Sequence, residues 1–83
     1  MQVQQVVLRV LDEVLSLGGR TKSWSSDTPL LGAIPELDSM AVVSLITAFE
    51  EQLGVVFEDD EIDGETFGTV GTLVRFVQGK LDA

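Results

Sequence analysis

Histidine, cysteine and tyrosine are absent from the 83 residues, and lysine and arginine together number only five. Without cysteine the chain has neither disulfides nor thiolate metal sites, and without histidine the remaining metal ligands are carboxylate and carbonyl oxygens, so zinc chemistry is excluded and no metal site is expected. The missing imidazole also removes the usual general base for a nucleophilic serine, leaving only Lys22 and Lys80 as side-chain amines. No apolar run approaches the roughly 18 residues of a membrane span. A chain this short makes one domain, residues 1–83, with a modest core and no room for a large cleft, which argues against a stand-alone enzyme. The first residues carry no basic segment before their apolar positions and no small-residue cleavage pattern after them, so a cytoplasmic location is expected.

What the chain does have is acid. Its net charge is −9, and 45% of its residues are hydrophobic, well above a disordered composition. The charge is uneven: residues 1–35 set Arg9, Arg20 and Lys22 against Asp12, Glu13 and Asp27 and are neutral, whereas eleven acids against Arg75 and Lys80 lie beyond. That half should repel nucleic acid and anionic membrane and attract basic protein patches, although many small domains are acidic for solubility alone.

Apolar periodicity gives helices throughout and no strand alternation. Gln2 to Leu17 places Val3, Val7, Val10, Val14 and Leu17 on one stripe widened by Leu8, Leu11 and Leu15, with Gly18 and Gly19 suited to stop it. A long crossover over residues 20–38 follows, restrained by Pro29 and Pro35 and tacked down by Trp24, Leu30, Leu31, Ile34 and Leu37. Ser39 to Leu53 is a second helix with two stripes. Val42, Leu45, Ile46, Phe49 and Leu53 should face the core. Met40, Val43 and Thr47 lie on another side, a docking strip ended by Glu50 and Glu51 unless the first helix or the crossover covers it. Gly54 closes this helix. The run Glu58-Asp59-Asp60-Glu61-Ile62-Asp63-Gly64-Glu65 resembles a calcium loop in part, but Val70 stands where the loop requires glutamate, and an acid-rich start to a short helix anchored by Ile62 and Phe67 fits better. Thr69 can cap a last helix to about Lys80, whose inward stripe is Val70, Leu73, Val74 and Val77. The expected fold is an all-α bundle of four helices, three longer and one short, with a long loop between the first two.

The pair Asp38-Ser39 sits where the crossover becomes the second helix. Its plain reading is a helix N-cap, in which a side-chain oxygen accepts a backbone N–H. Its functional reading is attachment. Nothing in the chain can deprotonate the serine for catalysis, yet a hydroxyl at an exposed helix N-terminus is accessible to another enzyme, and the helix end favours a phosphate ester there.

Pro29-Leu30-Leu31-Gly32, Leu37-Asp38-Ser39-Met40, Phe49-Glu50-Glu51-Gln52-Leu53-Gly54, the acidic segment and Thr69-Val70-Gly71-Thr72-Leu73, in this order across nearly the whole chain, resemble the acyl carrier protein family. The resemblance implies an acyl-carrier-like four-helix bundle. It further implies that Ser39 receives 4'-phosphopantetheine from coenzyme A, that the arm's thiol carries acyl intermediates as thioesters for fatty-acid, polyketide or related specialised biosynthesis, and that Asp38 helps a phosphopantetheinyl transferase recognise the site. Acyl-loading and acyl-transferring enzymes with basic docking patches would meet Met40, Val43, Thr47, Glu50 and Glu51, with the carrier monomeric. Met40 departs from the usual leucine, and Ala41 and Ser44 stand where fatty-acid carriers commonly place acids, so recognition by the usual synthase partners is not implied. Peptidyl carriers show Gly-Gly-x-Ser before the helix, so Glu36-Leu37-Asp38-Ser39 favours an acyl over an aminoacyl or peptidyl cargo. A further similarity runs to carriers of specialised clusters, such as those associated with exosortase and exopolysaccharide systems. The alternative from a different class is a small acidic helical interaction module in which Ser39 is only a cap and the strip docks a partner helix.

Overall fold

The first helix, α1, spans Val3–Leu15 and buries Val3, Val6, Val7, Val10, Leu11 and Leu15, a stripe at the three- and four-residue spacing of one helix face. In the computed structural model, which describes residues 2–58 and 64–82, α1 packs against both α2 (Ser39–Leu53) and α3 (Val70–Asp82). The three helices expected from periodicity are therefore present. The short acidic helix expected over residues 58–65, with Ile62 as an anchor, falls largely on residues 59–63, outside the described residues; Phe67, its other expected anchor, is buried. A short helical element not expected from sequence appears in the crossover, as a 3-10 turn over Arg20–Ser23. No helix among the described residues is long and apolar enough to cross a membrane.

The end of α1 differs from its sequence reading. Ser16 closes the helix in the left-handed conformation, at φ 55°, two residues before the left-handed Gly18, and the Leu17 N–H reaches back to the Asp12 carbonyl at 3.0 Å. That six-to-one bond is the Schellman closure, and it swings Leu17 out of the helix into the core, where it is 3% exposed. Asp12, counted from sequence only as a charge, accepts the Gly19 N–H at 2.8 Å and the Thr21 hydroxyl at 3.1 Å, fastening the 3-10 turn to the helix. The sequence reading stopped at the glycines because a serine in the left-handed region is uncommon and must be held there by such surroundings.

The crossover is ordered by backbone pairing with the segment before α3. Leu30 and Leu31 donate to the Gly68 and Phe67 carbonyls at 2.9 Å each, Val70 donates to Thr28 at 3.0 Å, and Pro29 and Thr69 form an isolated antiparallel bridge. Leu30 and Leu37 are buried and Trp24 and Ile34 half-buried, as expected of anchors, but Leu31 is 41% exposed and holds the chain through its N–H rather than its side chain. A ring stack joins α2 to α3: Phe57 meets Phe49 edge-on at 6.4 Å and Phe76 tilted at 5.2 Å.

Thr69 caps α3 as expected, its hydroxyl accepting the Thr72 N–H at 3.2 Å while the Thr72 hydroxyl accepts the Thr69 N–H at 3.0 Å. Gly71, in the first turn, donates to the Ser26 carbonyl at 2.8 Å, and a Cβ built on it would lie 3.0 Å from that oxygen. Gly79, also in α3, has nothing within 4 Å of such a Cβ. Two helical glycines thus make opposite predictions. Gly79→Ala should raise stability by roughly 0.5–1 kcal/mol through helix propensity and unfolded-state entropy. Gly71→Ala gains the same propensity term but pushes the crossover off α3, so thermal melts should show a lower midpoint; a rise in both variants would mean that the close approach to Ser26 costs nothing.

Candidate functional site

Asp38 and Ser39 occupy successive positions at the start of α2. Asp38 is the N-cap, extended at φ −113° and ψ −173°, and its carboxylate accepts the Ala41 N–H at 2.8 Å. Ser39 is therefore the first helical residue rather than the cap, and its side chain is exposed. The two roles offered for the pair by its sequence fall on different residues: the aspartate closes the helix end, and the hydroxyl is left to solvent. No acid lies within the first turn of α2 itself, so the positive end of the helix dipole is offset there by Asp38 alone.

The covalent group implied by the resemblance fits this arrangement. A phosphodiester on the Ser39 oxygen would extend into solvent from an exposed side chain, and it would sit at the helix end where backbone N–H groups favour negative charge. The chemistry of a nucleophile is missing, because the chain holds no histidine and its two lysines are Lys22, on the 3-10 turn, and Lys80, near the end of α3.

The outer strip of α2 is open. Met40 is 80% and Val43 63% exposed, and Thr47, also exposed, donates its hydroxyl back to the Val43 carbonyl at 3.1 Å. Neither α1 nor the crossover covers these residues, while Leu45 and Phe49, on the opposite face, are fully buried. The acids that end the strip differ from one another. Glu51 is exposed, whereas Glu50 is half-buried and accepts the Phe57 N–H at 3.0 Å, which holds the chain in place just beyond the Gly54 turn. Val56, 67% exposed, was not read as part of any surface from sequence.

Two further residues near the site had no sequence signal. Arg20, in the 3-10 turn, pairs with Glu36, three residues before Ser39. The same guanidinium donates through Nε to the Leu17 carbonyl at 3.3 Å. The Glu36 carboxyl is held below its ordinary value, first by a backbone hydrogen bond and then by the Arg20 side chain. Charge on Glu36 is thus favoured in the folded chain, and the pair is present at neutral pH and is lost only as acidification passes that lowered value. A separation of sixteen residues gives such a pair no local pattern to be read from.

The comparisons with known proteins agree with this geometry. The family model described as a phosphopantetheine attachment site matches residues 2–77. An acyl carrier protein of Prochlorococcus marinus (strain MIT 9515) is 34% identical over 80 residues, covering 95% of this chain and 92% of that one. The solution NMR structure of a holo acyl carrier protein from Nitrosomonas europaea is 48% identical and superposes with a TM-score of 0.92 over 100% of both chains. The chain belongs to the phosphopantetheine attachment-site family and is an acyl carrier protein, which bears acyl intermediates as thioesters on a covalent 4'-phosphopantetheine arm and is not itself an enzyme.

Proposed function

We propose that Ser39 is the attachment point and that the chain acts as a single carrier domain which takes its arm from a phosphopantetheinyl transferase. The observation that carries this reading is the exposed hydroxyl at the first position of α2, directly after the aspartate that caps the helix. In the transfer, the Ser39 oxygen forms a bond to the phosphorus that bears pantetheine, the pyrophosphate P–O bond of coenzyme A breaks, and adenosine 3',5'-bisphosphate leaves with the bonding electrons. The serine proton goes to a base that the transferase supplies, since the chain has no histidine and Asp38 is engaged at the Ala41 N–H. Once attached, the arm supplies a terminal thiol, the site of thioester formation. Asp38 orients Ser39 by fixing the first turn of α2 and is available to the transferase as an exposed carboxylate.

The partner surface is the outer strip of α2, with Met40, Val43 and Thr47 as its contact residues, Glu51 as an open charge and Glu50 as a charge shared with the Phe57 N–H. Acyl-loading and acyl-transferring enzymes of fatty-acid, polyketide or related specialised biosynthesis would dock there through basic patches. The chain works as a cytoplasmic monomer without inserting into membrane or binding nucleic acid. Supporting the last point is its charge, which opposes polyanions.

Incubation of the apo-protein with coenzyme A, magnesium and a broad-specificity transferase should add one arm per chain and create the molecule's only thiol, read by intact mass and a thiol reagent. Ser39→Ala should abolish both signals at little cost in stability, because the cap is Asp38; Asp38→Ala should lower stability by about 1 kcal/mol and slow the addition. A folded wild-type chain that gains neither mass nor thiol with several transferases would overturn the assignment and leave the interaction-module reading.

For the strip, Met40→Ala and Val43→Ala should weaken loading by acyl-transferring enzymes while the thermal midpoint holds. Leu45→Ala should behave oppositely, losing on the order of 2–5 kcal/mol to a core cavity. Equal melting losses in Met40→Ala and Leu45→Ala would place the strip in the core.

A further inference from the structure

The crossover reaches Ser39 through a stretch with little core of its own. Leu31, Gly32, Ala33, Pro35 and Glu36 are all exposed, and only Ile34 and Leu37 point inward. The backbone pairing with the segment before α3 stops at Leu31, and the hydrogen bonds that follow are local turns: Ala33 and Ile34 to the Leu30 carbonyl, and Leu37 to the Ile34 carbonyl, at 3.0 Å each. A tether from outside the crossover's second half is supplied by Arg20. Its Nε rests on the carbonyl of Leu17, whose side chain is buried, and its Nη2 pairs with Glu36. One planar guanidinium thus spans from the closing turn of α1 to the entrance of α2, a two-ended hold that a lysine point charge cannot reproduce.

Resting on the reading of Ser39 as the attachment point, we infer that Arg20 is a positioning residue for that modification, acting through Glu36 as a latch on the approach to α2. Glu36 lies three residues from Ser39, at most about 10 Å of extended chain. Between them stand Leu37, buried at 4% exposure, and Asp38, whose extended backbone aims its carboxylate at the Ala41 N–H. A shift at Glu36 is therefore passed to the cap through one anchored residue. With the latch closed, the cap is formed before the transferase arrives. With it open, the first turn of α2 frays more often, and the transferase must order it on binding. Neither residue need touch the transferase for this effect.

The test is a double-mutant cycle with two readouts. Arg20→Gln and Glu36→Gln should each lower kcat/KM for arm addition by roughly two- to five-fold, the scale of a surface ion pair, and the double variant should be no slower than either single one. Amide exchange at Leu37 and Ala41, measured on the apo-chain without any transferase, should rise by a similar factor in all three variants while the thermal midpoint stays within error. Additive losses in the cycle, or faster addition in Arg20→Gln, would mean that Glu36 meets the transferase directly and would overturn the latch; unchanged exchange at both amides would overturn it as well. A wild-type chain that takes no arm defeats the attachment reading instead, and the exchange measurement still decides the latch.

Discussion

The close backbone contact between the crossover and the start of α3 is the constraint from which the rest of the display follows. A crossover of nineteen residues, 20–38, that buries only Thr21, Leu30 and Leu37 must be held by more than a core of its own. Here the Leu30 and Leu31 N–H groups and the Ser26 and Thr28 carbonyls pair with residues 67–71, and the approach is close enough that Gly71 has no room for a Cβ without displacing Ser26. Because the last helix holds the crossover, the crossover can deliver Leu37 to the core and Asp38 to the cap position of α2. The crossover that leads into α2 is thus held by the residues that begin α3.

α2 resolves a conflict between stability and access. It leaves apolar residues in water at Met40 and Val43, the strip proposed for docking, while committing Leu45 and Phe49 fully to the interior. Partly buried Val42, Ile46 and Leu53 extend the inward face. The remaining security comes from the helix ends. Asp38 closes one; Gly54, left-handed at φ 69°, closes the other, and Glu50 reaches past it to the Phe57 N–H. Phe57 then joins α2 to α3 through its two ring contacts, so the exposed strip rests on a helix secured at both ends.

Much of this was legible from sequence, for definite reasons. The bounds of α2 were readable because a capping aspartate and a terminating glycine bracket an uninterrupted periodic run, and the openness of Met40, Val43 and Thr47 followed from a second stripe that a single core face cannot accommodate. The capped start of α3 at Thr69 and the anchoring by Leu30 and Leu37 were equally local signals. What escaped was long-range or against preference. Ser16 adopts a conformation that statistics reserve for the glycines two residues later. Asp12 looked like an ordinary solvated acid until Gly19 and Thr21 came within reach. A glycine inside a helix carries no local reason for its presence; that of Gly71 lies forty-five residues earlier in Ser26. At the site, the order of roles within Asp38-Ser39 was ambiguous because either side chain can cap a helix, and only the Ala41 bond distinguishes them.

That division of roles matters for a carrier. If the serine were also the cap, esterifying its oxygen would remove an acceptor from the helix end at the moment the arm is attached, and the apo and loaded forms would differ in stability where partners bind. With Asp38 as the cap, the Ser39 oxygen makes no contribution to the first turn that the proposed modification could cancel, and a phosphate added there would meet the favourable end of the helix dipole. A protein that must be recognised repeatedly, by partners that distinguish it through its cargo, is best served by a modified residue with no structural duty, set beside a neighbour that has one.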